Sequence, residues 1–162
     1  LSDNGPAGGS AGPLRGHKGS NWEGGHRVPG IAWWPDTIAA GKTTDELGIS
    51  LDLMPTMLSM AGVEAPAGPP FDGIDLSPLL KDGKPLAERS LFWEGPNPKS
   101  MMAMRKGAWK LMMSHSGEPK VVGLYDLSKD IGEKTDLSEM HPDKVKAMLE
   151  AYQAWHEEVA RD

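Results

Sequence analysis

The sequence predicts an α/β chain that ends in a small antiparallel sheet with one long helix laid on it. Three observations carry this expectation. Four short apolar segments, Ser90 to Trp93, Met101 to Met104, Ala108 to Met113 and Val121 to Tyr125, are each bounded by turn residues. Within the third, Trp109, Leu111 and Met113 alternate with Ala108, Lys110 and Met112, the two-residue period of a sheet with one buried face. After Pro142 the period lengthens, and Val145, Met148, Leu149, Tyr152, Trp155 and Val159 recur at helical spacing.

Taken in order, residues 1–30 hold nine of the 20 glycines and almost no apolar periodicity, which predicts a long shaped loop. Val28 to Trp34 is a short apolar run interrupted by Pro29 and closed by Pro35, read as a strand near a sheet edge. From Ser50 to Ala61, Leu51, Met54, Met57, Leu58 and Ala61 recur at three- and four-residue steps. With Pro55 in its first turns and Gly62 behind it, this is a helix with a glycine stop. Residues 63–88, rich in Pro and Gly with a brief apolar patch at Leu76, Leu79 and Leu80, read as a surface connector. They suggest a division between residues 1–85 and 86–162. Lys106-Gly107 marks a hairpin between the middle strands, and Pro142 and Asp143 suit the first turn of the last helix.

The 162 residues include 14 Pro and no Cys, and the net charge is −6. The lack of Cys excludes disulfides, thiolate metal sites and a Cys nucleophile within these residues. An acidic chain has no global footprint for nucleic acid or an anionic membrane, so an anion site has to be built locally. No apolar run reaches transmembrane length. The sequence opens at Leu1 directly into Ser2-Asp3-Asn4-Gly5, a turn signal of the kind that follows a strand, which sets the expectation of an upstream strand.

Residues that could carry chemistry concentrate in the glycine-rich segment. Leu14-Arg15-Gly16-His17-Lys18 and Glu23-Gly24-Gly25-His26-Arg27 place cations among glycines in an otherwise acidic chain. Such a loop suits a tetrahedral oxyanion, because glycine lets backbone N–H groups approach closely while Lys and Arg supply charge. Solvated loop charges are the other reading. Asp3 and Asn4 are hard-oxygen ligand types suited to calcium or magnesium, and equally a turn signal. Gly41-Lys42-Thr43 imitates the end of a nucleotide-binding loop, but the first glycine of that motif falls on Asp36.

Together these strings resemble the C-terminal part of the type I sulfatases, the arylsulfatase-like enzymes of the alkaline phosphatase superfamily. The likeness runs through Ser2-Asp3-Asn4-Gly5, Leu14 to Gly19 and Glu23 to Pro29. It continues with Asp52 to Leu58 and Ala61-Gly62, then Phe71-Asp72-Gly73 with Leu76 and Pro78, then Trp109-Lys110-Leu111 and Leu124 to Leu127. It covers nearly the whole chain in the family's order. Ile131 and Asp136 depart from it, standing where the family often has Pro and Asn, in what reads as a surface stretch.

The resemblance implies a calcium-dependent sulfuric ester hydrolase. Residues 1–85 then correspond to the end of an α/β catalytic domain and 86–162 to a smaller C-terminal subdomain. It also implies a formylglycine nucleophile made from Cys or Ser in a Cys/Ser-x-Pro-x-Arg motif, and no such motif occurs here. By position Asp3 and Asn4 become calcium ligands, and Lys18 the catalytic lysine that contacts the sulfate and its ester oxygen. His26 becomes a candidate substrate contact, with Arg15 and Arg27 as loop scaffolding paired with Glu23. The implied partner is a sulfate ester, and the family suggests a periplasmic, secreted or lysosomal compartment. A phosphodiesterase or phosphonate hydrolase of the same superfamily, or a noncatalytic anion- or sugar-binding module, are the alternatives.

Overall fold

The computed structural model describes residues 1–95, 101–114 and 119–160. Four strands, β1 Ser90–Trp93, β2 Met101–Lys106, β3 Trp109–Ser114 and β4 Lys120–Asp126, form one antiparallel sheet in sequence order. The middle hairpin turns through Gly107 and Ala108, with Lys106 opposite Trp109 and Gly107 at φ 55°. That turn needs a positive φ, which glycine adopts without steric cost. The chain groups into two compact units, residues 1–29 with 88–162 and residues 30–87. The sequence-based division at residue 85 thus differs from this grouping, in which the N-terminal loop packs with the sheet.

On one face of the sheet lies the long helix, α4 Pro142–Val159. Met102, Met104, Leu111, Met113 and Leu124 meet Met148 and Tyr152 there, with Phe92, Trp109, Val145, Leu149 and Trp155 around them. The Phe92 and Trp155 rings stack at 4.8 Å. These are the residues whose periods predicted the sheet and the helix.

The other face is buried as well, which corrects the expectation of one solvent-facing side. Ala103, Met112, Tyr125 and Leu127 form a second core with Trp22, Trp93 and Met101. Trp22, from the glycine-rich loop, meets the Tyr125 ring edge-on at 5.6 Å. Alternation therefore separated two buried faces rather than an inside from an outside, and this is why Lys110 is fully buried within β3.

Arg105 and Lys110 stand directly opposite each other on this loop-side face. Like charges so paired repel, and burial makes each costly. The loop supplies the answer through Glu23, the first residue of a one-turn helix, α1 Glu23–His26. Lys110 Nζ lies 2.9 Å from Glu23 Oε1, and Arg105 Nη1 lies 3.2 Å from Glu23 Oε2. Lys110 Nζ also lies 2.9 Å from Glu133 Oε1, and the Glu23 backbone N–H donates to Glu133 Oε2 at 2.8 Å. Glu133 is fully buried at φ 52°, a left-handed conformation that costs a non-glycine residue about 1–2 kcal/mol. The stretch after β4 is therefore not all surface. Asp136 also reaches back to accept the Leu124 N–H at 3.0 Å.

The titration behaviour of these groups follows from the cluster. Burial resists ionisation of Glu23, but the Lys110 and Arg105 charges outweigh it and hold its carboxyl below the ordinary value. Burial dominates at Glu133 and raises its pKa, only partly offset by Lys110. His26 packs its ring on Trp93 at 4.5 Å, with Nε2 3.3 Å from Lys110 Nζ. Burial, then the Lys110 charge, push the imidazole down to about 4, so it is neutral at pH 7.

Residues 30–87 are organised by two side chains. A 3-10 turn, Ser50–Asp52, runs into α2 Leu53–Ala61, and Gly62 closes it at φ 67°. The Val63 N–H donates to Leu58 O at 3.0 Å and the Gly62 N–H to Ser59 O at 3.2 Å, the paired bonds of a Schellman stop. Buried Asp52 accepts the Ile49 N–H at 2.8 Å and the Ile74 N–H at 2.9 Å. Thr56 Oγ1 accepts the Leu76 N–H at 2.9 Å while donating to Asp52 O. The Asp52 to Leu58 and Asp72-Gly73 strings, separate in sequence, are thereby joined.

Two expectations fail in this unit. The connector contains a helix, α3 Ser77–Asp82, begun where Asp75 accepts the Ser77 N–H at 2.7 Å and ended at Gly83, φ 67°. Its six residues are too few to display a period. Conversely, Val28 to Trp34 forms no strand, and Ile31 and Trp33 are 86% and 85% exposed. An apolar extended run becomes a strand only when a neighbour takes its backbone hydrogen bonds, and among the described residues it lies in no sheet.

Two outcomes follow. As pH falls from 7 toward 4, the unfolded chain binds a proton at His26 that the folded chain refuses, so the fold loses stability, by about 2–3 kcal/mol from this residue. Glu23, with its lowered pKa, adds to the loss below 4.5, whereas Glu133, with its raised pKa, opposes it. Nuclear magnetic resonance should place the His26 midpoint near 4, and a midpoint at or above 6.5 would show that the ring is not desolvated. Separately, Asp52→Ala leaves two backbone N–H groups without their acceptor and should lower the opening free energy of α2 by about 2–4 kcal/mol in native-state hydrogen exchange. A loss below that of Thr56→Val would contradict this account.

Candidate functional site

The glycine-rich loop is held together by its own backbone. The Gly5 N–H donates to Gly25 O at 2.8 Å, the Gly24 N–H to Arg15 O at 2.7 Å and the Lys18 N–H to Pro6 O at 3.0 Å. A Cβ on Gly25 would overlap the Ser20 carbonyl, and one on Gly5 the Gly24 carbonyl. Only glycine permits strands of loop to lie this close. Three stretches, near residues 4–6, 15–20 and 24–25, are thus interlocked. Arg15 ties them outward by donating from Nη1 to Glu133 O at 2.8 Å, with its guanidinium 3.6 Å over the Trp22 ring.

Asp3, Asn4 and Lys18 all ride on this interlocked piece. Lys18 and Asp3 are exposed, and Asn4 is half-buried. Asn4 lines an open cleft of about 410 Å³ together with Ser2, Leu14, Arg27 and Val28. Asp3 and Lys18 do not line that cleft, so the structure brings the candidates onto one support without closing them around one point. His26 differs from the other three. Its side chain is 20% exposed, packed on Trp93 and beside Lys110, and its contacts are those of a core residue. Arg27 and Glu23 pair as expected, at 3.4 Å.

Donor chemistry allows Asp3 and Asn4 to contribute oxygens to a calcium ion, which takes about six to eight. Among the described residues no group of three His, Asp or Glu side chains is placed to hold a metal. Asp3 and Asn4 would supply two of those oxygens and do not by themselves complete a calcium shell.

The residues that sequence reasoning missed are Arg105, Lys110 and Glu133, which anchor the loop. A signal existed for Lys110, a charge set inside the apolar run Trp109 to Met113. For Glu133 there was none, because its partners come from distant segments.

Comparison with known proteins matches this picture. A family profile described as Sulfatase matches residues 1–63. Pig N-acetylgalactosamine-6-sulfatase is 43% identical over 117 residues, covering 68% of this chain and 22% of that protein. Human arylsulfatase A is 38% identical over 167 residues, covering 85% of this chain and 32% of that protein. The crystal structure titled Ps i-CgsB superposes with a TM-score of 0.79 at 27% identity, over 94% of this chain and 34% of that one. A structure solved with its substrate, D-glucosamine-2-N,6-O-disulfate, shares the fold at a TM-score of 0.68 and 22% identity, over 86% of this chain and 30% of that one. The chain thus spans about a fifth to a third of the curated relatives it matches. It belongs to the sulfatase family and corresponds to the C-terminal part of its members.

Proposed function

We propose that this chain supplies part of the active site of a sulfuric ester hydrolase. One observation supports the reading above others. The loop that bears Asp3, Asn4 and Lys18 is interlocked at glycines that leave no room for a side chain, the kind of rigid support on which an oxyanion site is built. The names of the relatives add to it, since N-acetylgalactosamine-6-sulfatase and arylsulfatase A are both sulfatases.

In this reading the Lys18 ammonium binds the sulfuryl group and neutralises charge on its oxygens and on the departing ester oxygen. Its exposure leaves it free to face a substrate. Asp3 and Asn4 would supply two oxygen donors to a calcium ion, which would add positive charge at the sulfuryl oxygens. Arg27 and Arg15 keep the loop in shape through Glu23 and Glu133. His26 stays neutral, because the Lys110 ammonium lies beside it and water is largely excluded. The formylglycine nucleophile comes from a sequence outside these 162 residues, which contain no Cys/Ser-x-Pro-x-Arg motif.

The 162-residue chain alone should not hydrolyse 4-nitrocatechol sulfate in the presence of calcium. Turnover by the pure chain that Lys18→Ala abolishes would mean that its own residues provide a nucleophile, contrary to this assignment. In the complete polypeptide carrying formylglycine, Lys18→Ala should lower kcat by about 10²–10³-fold, roughly 2.7–4 kcal/mol, the effect of removing one oxyanion donor. His17→Ala should cost much less, because His17 is exposed and bonds its own loop, with Nδ1 3.1 Å from Lys18 O. Near-normal kcat in Lys18→Ala beside an inactive His17→Ala reverses the roles. Comparison on a phosphate diester and a sulfate ester distinguishes the superfamily's other chemistry.

A further inference from the structure

Lys110 has a place in this molecule that packing alone does not explain. Its ammonium is fully buried and touches two carboxylates, Glu23 Oε1 and Glu133 Oε1, each at 2.9 Å. Neither carboxylate belongs to the sheet. Glu23 starts α1, whose Gly24 and Gly25 hold residues 15 and 5 by backbone hydrogen bonds. Glu133 lies after β4 and accepts Arg15 Nη1 at its carbonyl, while its carboxylate accepts the Glu23 N–H. The contacts make a closed circuit from Lys110 through Glu133, Arg15, Gly24 and Glu23 back to Lys110. Trp22 in the second core, the His26 ring on Trp93, Arg105 on Glu23 and Asn21 Nδ2 donating to Met101 O at 2.6 Å also tie the loop to the sheet, but Lys110 is the group that joins Glu23 to Glu133. A buried ion pair adds little net stability but is demanding in geometry, so it can decide where a weakly packed segment sits.

We propose that Lys110 is a positioning residue, its buried ammonium clamping Glu23 and Glu133 so that the loop bearing Asp3, Asn4 and Lys18 is held in one arrangement. For turnover, though not for loop order, the proposal rests on the sulfatase reading.

The test begins with hydrogen exchange on the 162-residue chain carrying Lys110→Met. Because that change strands two buried carboxylates, a second variant, Lys110→Met with Glu133→Gln, leaves Glu23 to Arg105 at 3.2 Å and Arg27 at 3.4 Å. In whichever variant folds, the amides of Gly5, Lys18 and Gly24 should exchange about tenfold faster or more, with those of β2 and β3 unchanged within about twofold. The chain has no Cys, so Lys110→Cys can be aminoethylated at that position alone in denaturant and refolded. The restored ammonium should return the loop amides to slow exchange. Loop amides that stay protected in a folded variant overturn the proposal. Loss of the sheet in both variants overturns it too, since Lys110 is then a core residue only.

In the complete polypeptide, the folded variant should lower kcat about tenfold with KM little changed, and adding Lys18→Ala should cost far less than it does alone. Fast loop exchange with unchanged kcat leaves the clamp intact and overturns instead the assignment of Lys18.

Discussion

The organising constraint is the withdrawal from water of two cations side by side on one face of the sheet, Lys110 completely and Arg105 in large part. Arg105 and Lys110 are cross-strand neighbours, and neither can be covered by an apolar loop without a large desolvation penalty. Glu23 and Glu133 meet that requirement from segments remote in sequence. Their arrival decides where the N-terminal loop lies, why Trp22 seals the second core against Tyr125, and why His26 is neutral on Trp93.

Given that anchor, glycine does the rest. The loop has few side chains large enough to pack, and it achieves order by letting backbones approach until hydrogen bonds link residues 5 to 25, 24 to 15 and 18 to 6. Rigidity from backbone contacts leaves the side chains of Asp3 and Lys18 outside, exposed and unencumbered by packing. A site that must meet a charged group gains from this division, in which the support is stiff and the working groups are not consumed in holding it up.

Residues 30–87 solve a similar problem with side-chain oxygen acceptors. Asp52 and Thr56 accept N–H groups from Ile49, Ile74 and Leu76, so that a chain rich in Pro and Gly keeps a defined path beside α2. Leu53, Met54 and Met57 remain exposed on that helix, and its order rests on polar links to the following segment more than on a deep core.

By itself the sequence determined the four strands, the hairpin at Gly107, the glycine stop of α2 and the last helix, because each depends on a local period or a local φ requirement. The resemblance of its motifs to sulfatases was also legible, since they follow one another in the family's order along nearly the whole chain. Only the tertiary structure decided that the sheet is buried on both faces. Alternation shows that two faces differ, and it cannot show what covers the second one. The same holds for the clamp. Glu23 stood beside glycines, Lys110 inside an apolar strand and Glu133 in a turn, and nothing local distinguishes a carboxylate in water from one that meets an ammonium across 87 residues of chain. The strand expected at Val28 to Trp34 failed for the same reason: a strand is a relation between two segments, and one apolar run does not contain its partner.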